Sequence, residues 1–314
     1  MEIQPDTSQP EVKQIGDHDS GDYLNQFHGF WLTPINLQAT EELLEQFKPI
    51  SNDVILASFP KTGTTWLKSL LYAIVNRSSI DQLTRNHPHV LVPQLELQVY
   101  GPRAISPPPF PAPDTSPFNR IFSTHLPYQI IGETIDSSDC RVVYIGRNPK
   151  DTLVSVWHFV NSMEKFKTTQ WPLEKAVDSF CKGYVSFGPY YDHVLGYQKQ
   201  SVERPKKFFF TTYAELKSDP KTHVKKLAEF LGCPFDNQEQ VEEVVRSCSI
   251  ETLRNHDVNK SSDIFYYFPY NSYFRKGQVG DHKNYLTNDM IDRIDTITNE
   301  KFQGWIFKHE ADSF

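Results

Sequence analysis

The stretch from Asp53 to Val75 constrains this chain most. Asp53 to Phe59 (DVILASF) is a short apolar run that stops abruptly at Pro60 and Gly63. From Thr64 the sequence TTWLKSLLYAIV then carries apolar residues at helical spacing, with threonines suited to capping. The pattern is a buried strand, a tight turn and a helix. It recurs: Arg120–Thr124 and Arg141–Gly146 (RVVYIG) are further apolar runs, and Asp151 to Ser162 reads as a helix. Leu173 to about Gln198 also reads as a helix with a break near Gly188-Pro189, Lys207–Thr212 as a strand, and Asp219 to Leu231 as a helix. Short buried strands alternating with helices predict an α/β fold, a central parallel sheet flanked by helices with right-handed crossovers.

At 314 residues, with 38% hydrophobic residues and neither an internal repeat nor a long linker, one domain over residues 21–314 is expected. Residues 1–20, rich in Asp, Glu, Pro and Ser, read as a flexible tail. Gly101 to Pro117 is crowded with proline and reads as a stiff surface loop. Lys260 to Asn284 has no steady period and reads as a long functional cover. Lys plus Arg is 32 against 39 for Asp plus Glu, a net charge of -7, which argues against a duplex nucleic-acid partner. Any anionic ligand therefore needs local cations. The longest strongly apolar run, Leu70–Val75, is too short to span a bilayer, and the acidic N-terminus lacks the features of a signal peptide. Cys140, Cys181, Cys233 and Cys248 are widely spaced, as for buried thiols in a reducing, cytoplasmic setting.

The first chemical signal is Ser58-Phe59-Pro60-Lys61-Thr62-Gly63-Thr64-Thr65-Trp66. A strand delivers a loop with a Lys, a Gly and hydroxyls to a helix N-terminus, where free amide N–H groups and the positive helix end favour an anion. It differs from the GxxxxGK[ST] loop because its Lys precedes the Gly, and no strand-ending Asp stands out as a magnesium ligand. The second is Tyr144-Ile145-Gly146-Arg147-Asn148-Pro149-Lys150-Asp151-Thr152-Leu153-Val154-Ser155, where Arg147 ends a strand and Ser155 lies about one turn into a helix. The third is Phe274-Arg275-Lys276-Gly277-Gln278-Val279-Gly280-Asp281-His282-Lys283, two cations and two glycines suited to a second phosphate.

Together PKTGTTW, RNPKDTLVS and RKGQVGDHK resemble the cofactor signature of the cytosolic sulfotransferases, in order and spacing from about Gly29 to Phe307. FSTHLPY and FRKGQVGD are most similar to the plant soluble branch. The resemblance implies a P-loop-like sulfotransferase fold and the donor 3′-phosphoadenosine-5′-phosphosulfate (PAPS), whose 5′-phosphosulfate and 3′-phosphate explain two distant anion sites. It implies that Lys61, Thr62, Gly63, Thr64 and Thr65 cradle the phosphosulfate and that Trp66 stacks on the adenine, which Tyr213 also contacts. Arg147, Ser155, Arg275, Lys276 and Gly277 are expected at the 3′-phosphate, and Cys248 stands where relatives often have a contacting Thr. His125, in the motif THLP, is the implied general base, with Lys61 neutralising the leaving oxygen and Ser155 restraining Lys61 until acceptor arrives. No metal is expected.

Two departures stand out: Ser123 where animal relatives often carry Lys, and His282 where the last motif usually has Trp. Lys283 to Asn288 fits the dimer motif of animal relatives only in part, so a monomer or weak homodimer is expected. The expected partner is a small-molecule hydroxyl acceptor, with no nucleic acid and no membrane. Phe27, Phe30, Trp31, Phe265, Tyr266, Tyr267, Phe268, Tyr270, Tyr273 and Phe274, with the loop Pro107–Pro113, are candidates to enclose it, about half of them being plain core. The resemblance points to flavonoids, steroids, hydroxyjasmonates or desulfoglucosinolates. A nucleotide or metabolite kinase and an inactive nucleotide-binding homologue stay open at this point.

Overall fold

The computed structural model describes residues 14–17, 22–101, 120–163, 170–265 and 268–303. The proline-rich segment lies outside these residues apart from Gly101, as do Tyr266 and Tyr267 and residues 1–13.

Near the N-terminus β1 (Gln14–Asp17), β2 (Asp22–Phe27) and β3 (Phe30–Leu32) form an antiparallel meander. The central sheet consists of β4 (Val54–Ser58), β5 (Ile121–Thr124), β6 (Arg141–Gly146) and β7 (Phe208–Thr212), in spatial order β5-β4-β6-β7. Every pairing in it is parallel. All five residues of β4 are buried, because helices cover both faces. Val54, Leu56, Val143 and Ile145 enter one core with Leu67, Leu71 and Leu227. Ile55, Ala57, Val142 and Tyr144 enter the other with Leu153, Val177 and Tyr197.

The helix Thr64–Val75 follows β4, and the helix Pro149–Val160 follows β6. The second begins on a strong signal: Asn148 Oδ1 accepts from Lys150 N at 2.9 Å, and Pro149 occupies the first turn. The first begins differently from expectation. Its N-cap is Gly63 with no side-chain cap, and Thr64 Oγ1 instead bonds Ser58 Oγ at 2.7 Å. The span read as one helix from Leu173 is two helices, Leu173–Cys181 and Tyr190–Glu203, and the break covers residues 182–189. Gly183 and Phe187 sit there at φ +77° and +65°, left-handed conformations that a helix does not contain. Gln14–Asp17, inside the expected tail, is a strand because the open edge of β2 supplies its backbone partners.

Helices also lie at Pro34–Gln46, Tyr128–Asp136, Pro220–Phe230, Gln238–Ser247 and Asn288–Phe302; the first and the last two have side-chain N-caps from Thr33, Asn237 and Thr287. Lys260 to Asn284 holds a two-residue ladder and short 3-10 turns. Among the described residues no helix is long and apolar enough to cross a membrane. Cys140, Cys181, Cys233 and Cys248 are free thiols.

Candidate active site

Each strand of the parallel sheet delivers one element of the site at its carboxyl end, where such sheets open. The loop 59–63 follows β4, His125 follows Thr124 of β5, Arg147 follows Gly146 of β6, and Tyr213 follows Thr212 of β7. They meet along one cleft of about 1070 Å³. Lys61, Gly63, Thr64, Thr65, Trp66, His125, Arg147, Ser155, Tyr213, Arg275, Lys276 and Gly277 all line it.

Thr62 is the exception. Its hydroxyl lies 2.8 Å from the carbonyl of Phe59 and 2.9 Å from that of Ile145, and the residue is fully buried away from the cleft. The loop turns it inward because Lys61 takes φ +68° and Gly63 φ +122°. A Cβ on Gly63 would stand 2.9 Å from both Ile145 Cδ1 and Tyr213 Cδ2, so the close packing of this loop requires glycine.

His125 is held at three points. Its Nδ1 is 2.7 Å from the Ser58 carbonyl, its backbone N–H donates to Glu96 Oε1 at 2.6 Å, and its carbonyl accepts from His193 Nε2 at 2.9 Å. A carbonyl only accepts, so Nδ1 carries the proton and the Nε2 lone pair is the available one. Burial pushes the imidazole down to about 3, opposed by the Ser58 bond and aided by Lys68, His193 and Lys61, so the ring is neutral at neutral pH.

Of the cations, Lys61 has no carboxylate partner among the described residues, while Arg147 has Asp151 at 3.6 Å. Lys61 is lowered to about 7, first by burial and then by Arg147 and Arg275. Its Nζ rests 3.7 Å from the ring centroid of Phe159. Ser155 lies nearly two turns into its helix rather than one, since that helix begins at Pro149. Arg147 is buried and donates to the carbonyls of Gln278 at 2.9 Å and Lys61 at 3.3 Å, while its Nε has no hydrogen-bond partner among the described residues. A guanidinium donor without a partner beside a half-buried ammonium that lines the cleft fits a bound polyanion.

Arg275 and Lys276 pair with Asp281, at 2.6 and 2.7 Å. That carboxylate now occupies the two cations expected at the 3′-phosphate. His282, the departure from the usual Trp, anchors the loop: its Nδ1 lies 2.9 Å from Asp151 Oδ1, which also accepts the His282 N–H at 3.0 Å, while Oδ2 accepts that of Gly280 at 2.8 Å. Trp66 and Tyr213 meet edge to face at 5.4 Å, and Trp66 Nε1 donates to the Cys248 carbonyl at 2.8 Å. Cys248 itself is fully buried and its thiol turns to the Ser69 carbonyl. Ser123 is buried against Pro93 and supplies no cation to the cleft.

Past His125 the walls are apolar: Phe159, Val160, Trp171, Phe180, Phe187 and Phe268. Tyr273 and Phe274 line the cleft as expected, but Phe27, Phe30, Trp31 and Tyr270 do not. Phe30 and Trp31 are core, and the same meander instead contributes Tyr23 and Leu24. The side chain of Phe265 is not among those described. Sequence reasoning missed Ser58, Glu96 and His193, which orient His125. The signal it had was a Glu and a His placed among residues that otherwise read as core.

Among the described residues no cluster of metal-ligating side chains forms. A family described as the sulfotransferase domain matches residues 51–306. Cytosolic sulfotransferase 5 of Arabidopsis thaliana is 41% identical over 297 residues, 90% of each chain. Cytosolic sulfotransferase 1 of the same plant is 41% identical over 302 residues, 91% of this chain and 89% of the relative. The crystal structure of an Arabidopsis thaliana sulphotransferase superposes with a TM-score of 0.68 at 34% identity, covering 90% of this chain and 87% of that one. A mouse sulfotransferase complexed with PAP does so with a TM-score of 0.68 at 25% identity, covering 89% and 95%. The kinase alternative falls away, and the chain belongs to the sulfotransferase domain family, as a plant-type cytosolic sulfotransferase.

Proposed function

We propose that this protein sulfates a hydroxyl group of a small, aromatic or lipophilic metabolite, with His125 as general base. The observation that carries the proposal is the placement of His125: a neutral imidazole with its Nδ1 proton committed to Ser58, between a cation-lined end of the cleft and an apolar one. When bound, PAPS supplies the activated sulfuryl group and departs as 3′-phosphoadenosine-5′-phosphate (PAP). A mouse relative is complexed with PAP, which supports the donor assignment.

His125 Nε2 takes the proton of the acceptor hydroxyl as its oxygen bonds to sulfur, and the bond from sulfur to the bridging oxygen breaks in line, with no covalent enzyme intermediate. Lys61 stabilises the charge that collects on that leaving oxygen. Thr64, Thr65 and the backbone of the loop hold the 5′ end. Arg147, Ser155, Arg275, Lys276 and Gly277 hold the 3′-phosphate, which displaces Asp281 from the two cations. Trp66 and Tyr213 contact the adenine. Burial is the main cause that holds His125 down, and anions in the cleft offset only the smaller contributions of Lys68 and Lys61.

Among the described residues the wall beyond His125 carries aromatic and aliphatic side chains and no carboxylate, which favours an acceptor with a lipophilic body. Calorimetric titration with PAP, in EDTA and against ATP as control, tests the donor. Labelled PAPS offered with a panel of hydroxylated flavonoids, steroids, hydroxyjasmonates and desulfoglucosinolates tests the acceptor. Tight PAP binding with weak ATP binding and transfer to a lipophilic hydroxyl is the expected result. Preference for ATP, or transfer that stops when metal is chelated, would count against it.

A further inference from the structure

Behind the anion loop lies a buried polar chain whose inner members, His89, Gln94 and Gln98, have no part in the chemistry above. Lys68 sits on the helix Thr64–Val75, fully buried, among Leu67, Leu70 and Leu71. Its Nζ is 2.8 Å from Nδ1 of His89, which is also buried. The other ring nitrogen of His89, Nε2, is 3.1 Å from Thr65 Oγ1, on the wall of the cleft. The carbonyl of His89 accepts from Gln98 Nε2 at 2.9 Å, and Gln98 Oε1 accepts from Gln94 N at 2.8 Å. Gln94 Nε2 in turn donates at 2.7 Å to Glu96 Oε1, the same oxygen that takes the backbone N–H of His125. One continuous hydrogen-bonded path thus joins Thr65 to His125.

The direction of the bonds follows from the donors. An ammonium has three protons and no lone pair, so Lys68 donates and His89 Nδ1 accepts. A neutral imidazole has one proton, which must then sit on Nε2 and point to Thr65 Oγ1. Burial and the nearby charge of Lys68 hold His89 well below its ordinary value, which keeps the ring neutral. Thr65 therefore accepts from inside the protein, and its single hydroxyl proton is left to donate into the cleft. We infer that Lys68 and His89 are positioning residues that fix the Thr65 hydroxyl as a hydrogen-bond donor to the 5′-phosphate of the bound nucleotide. This rests on the donor assignment above. A fixed donor has no rotor to immobilise and no competing orientation when the anion arrives.

The test is a double-mutant cycle on PAP affinity, titrated calorimetrically with the full chain somewhat below pH 7, where Lys68 keeps its proton. His89→Phe keeps an aromatic ring against Tyr273, 4.5 Å away, but loses both nitrogens. It should raise the PAP dissociation constant roughly tenfold, as should Thr65→Val. The pair together should be no weaker than Thr65→Val alone. His89→Gln, which restores a donor near the Nε2 position, should recover most of the affinity. Losses that multiply in the double variant, or an unchanged affinity in His89→Phe, would show the ring to be mere packing and overturn the inference. Melting curves check that each variant folds; if His89→Phe does not, Lys68→Met takes its place in the same cycle. Failure of the unsubstituted protein to bind PAP would overturn the donor assignment and this inference with it, an outcome distinct from multiplying losses.

Discussion

Nδ1 of His125 lies 2.7 Å from the backbone carbonyl of Ser58, the last residue of β4 before the anion loop. One bond therefore sets both the tautomer of the base and its position relative to the loop. Ser58 contributes twice, because its hydroxyl also meets Thr64 Oγ1 at 2.7 Å where the helix begins. Neighbouring parallel strands, β4 and β5, thus bring the two ends of the proposed reaction together, with a strand carbonyl holding the imidazole.

Donor binding should take up protons. Lys61 has a pKa of about 7 in the free protein, lowered by burial and by Arg147 and Arg275, and a bound polyanion raises it. Below pH 7 the free protein already carries that charge, so affinity for PAP is full there. As pH rises past 7 the free Lys61 must regain a proton to bind, and affinity falls, by up to about tenfold per unit. Titration in buffers of different ionisation enthalpy measures the uptake directly. Lys61→Met should reduce it and flatten the profile; affinity independent of pH between about pH 6 and pH 9 would contradict the assignment.

Arg275→Ala should act on binding more than on turnover. Removing one charged donor from the 3′-phosphate costs roughly ten- to a hundredfold in PAP affinity. The turnover number at saturating donor should stay within a few-fold, since the residue is not placed at sulfur. Steady-state kinetics over a wide range of donor concentration separates the two effects.

His282→Ala should loosen the loop that carries Arg275 and Lys276. Asp151 is almost fully buried, and losing the imidazole leaves it the two loop amides and the more distant Arg147, 3.6 Å away. A stability loss of about 1–3 kcal/mol is expected in chemical denaturation, with weaker PAP binding. An unchanged midpoint and unchanged affinity would mean that the His282–Asp151 contact does not anchor the loop.

Gly63→Ala should be severe for so small a change. The residue stands at φ +122°, and the added methyl would meet Ile145 and Tyr213 at 2.9 Å. The strain is roughly 1–3 kcal/mol, and relief by moving Tyr213 would disturb the proposed adenine contact. A lowered melting temperature together with lost PAP affinity is the expected pair of results.

The four central strands were readable in the sequence because each is a short apolar run, and two of them stop at Pro60 and at Asn148-Pro149, residues that cannot continue a strand. The basic residues stood out only when the three segments were taken together, since Lys or Arg beside glycine in one loop is as well read as a solvated turn. Thr62 went astray because sequence gives the residue type but not the turn: with Lys61 left-handed, its hydroxyl faces Ile145. The aromatics of the N-terminal meander went astray because in a strand alternate residues take opposite faces, and composition does not say which face is wet. Glu96 and His193 reach His125 across long stretches of chain, as does His89 to Thr65 and Lys68, and such contacts exist only once the chain has folded.

The most direct measurement is single-turnover transfer from labelled PAPS to a hydroxyl acceptor, comparing the protein with His125→Ala and measuring PAP affinity of both. Loss of the base should slow transfer by about 10²–10⁴-fold while PAP binds nearly as before, since His125 is placed at the acceptor oxygen and not at the phosphates. A His125→Ala variant that transfers the label at close to the original rate would contradict the assignment of His125 as the base.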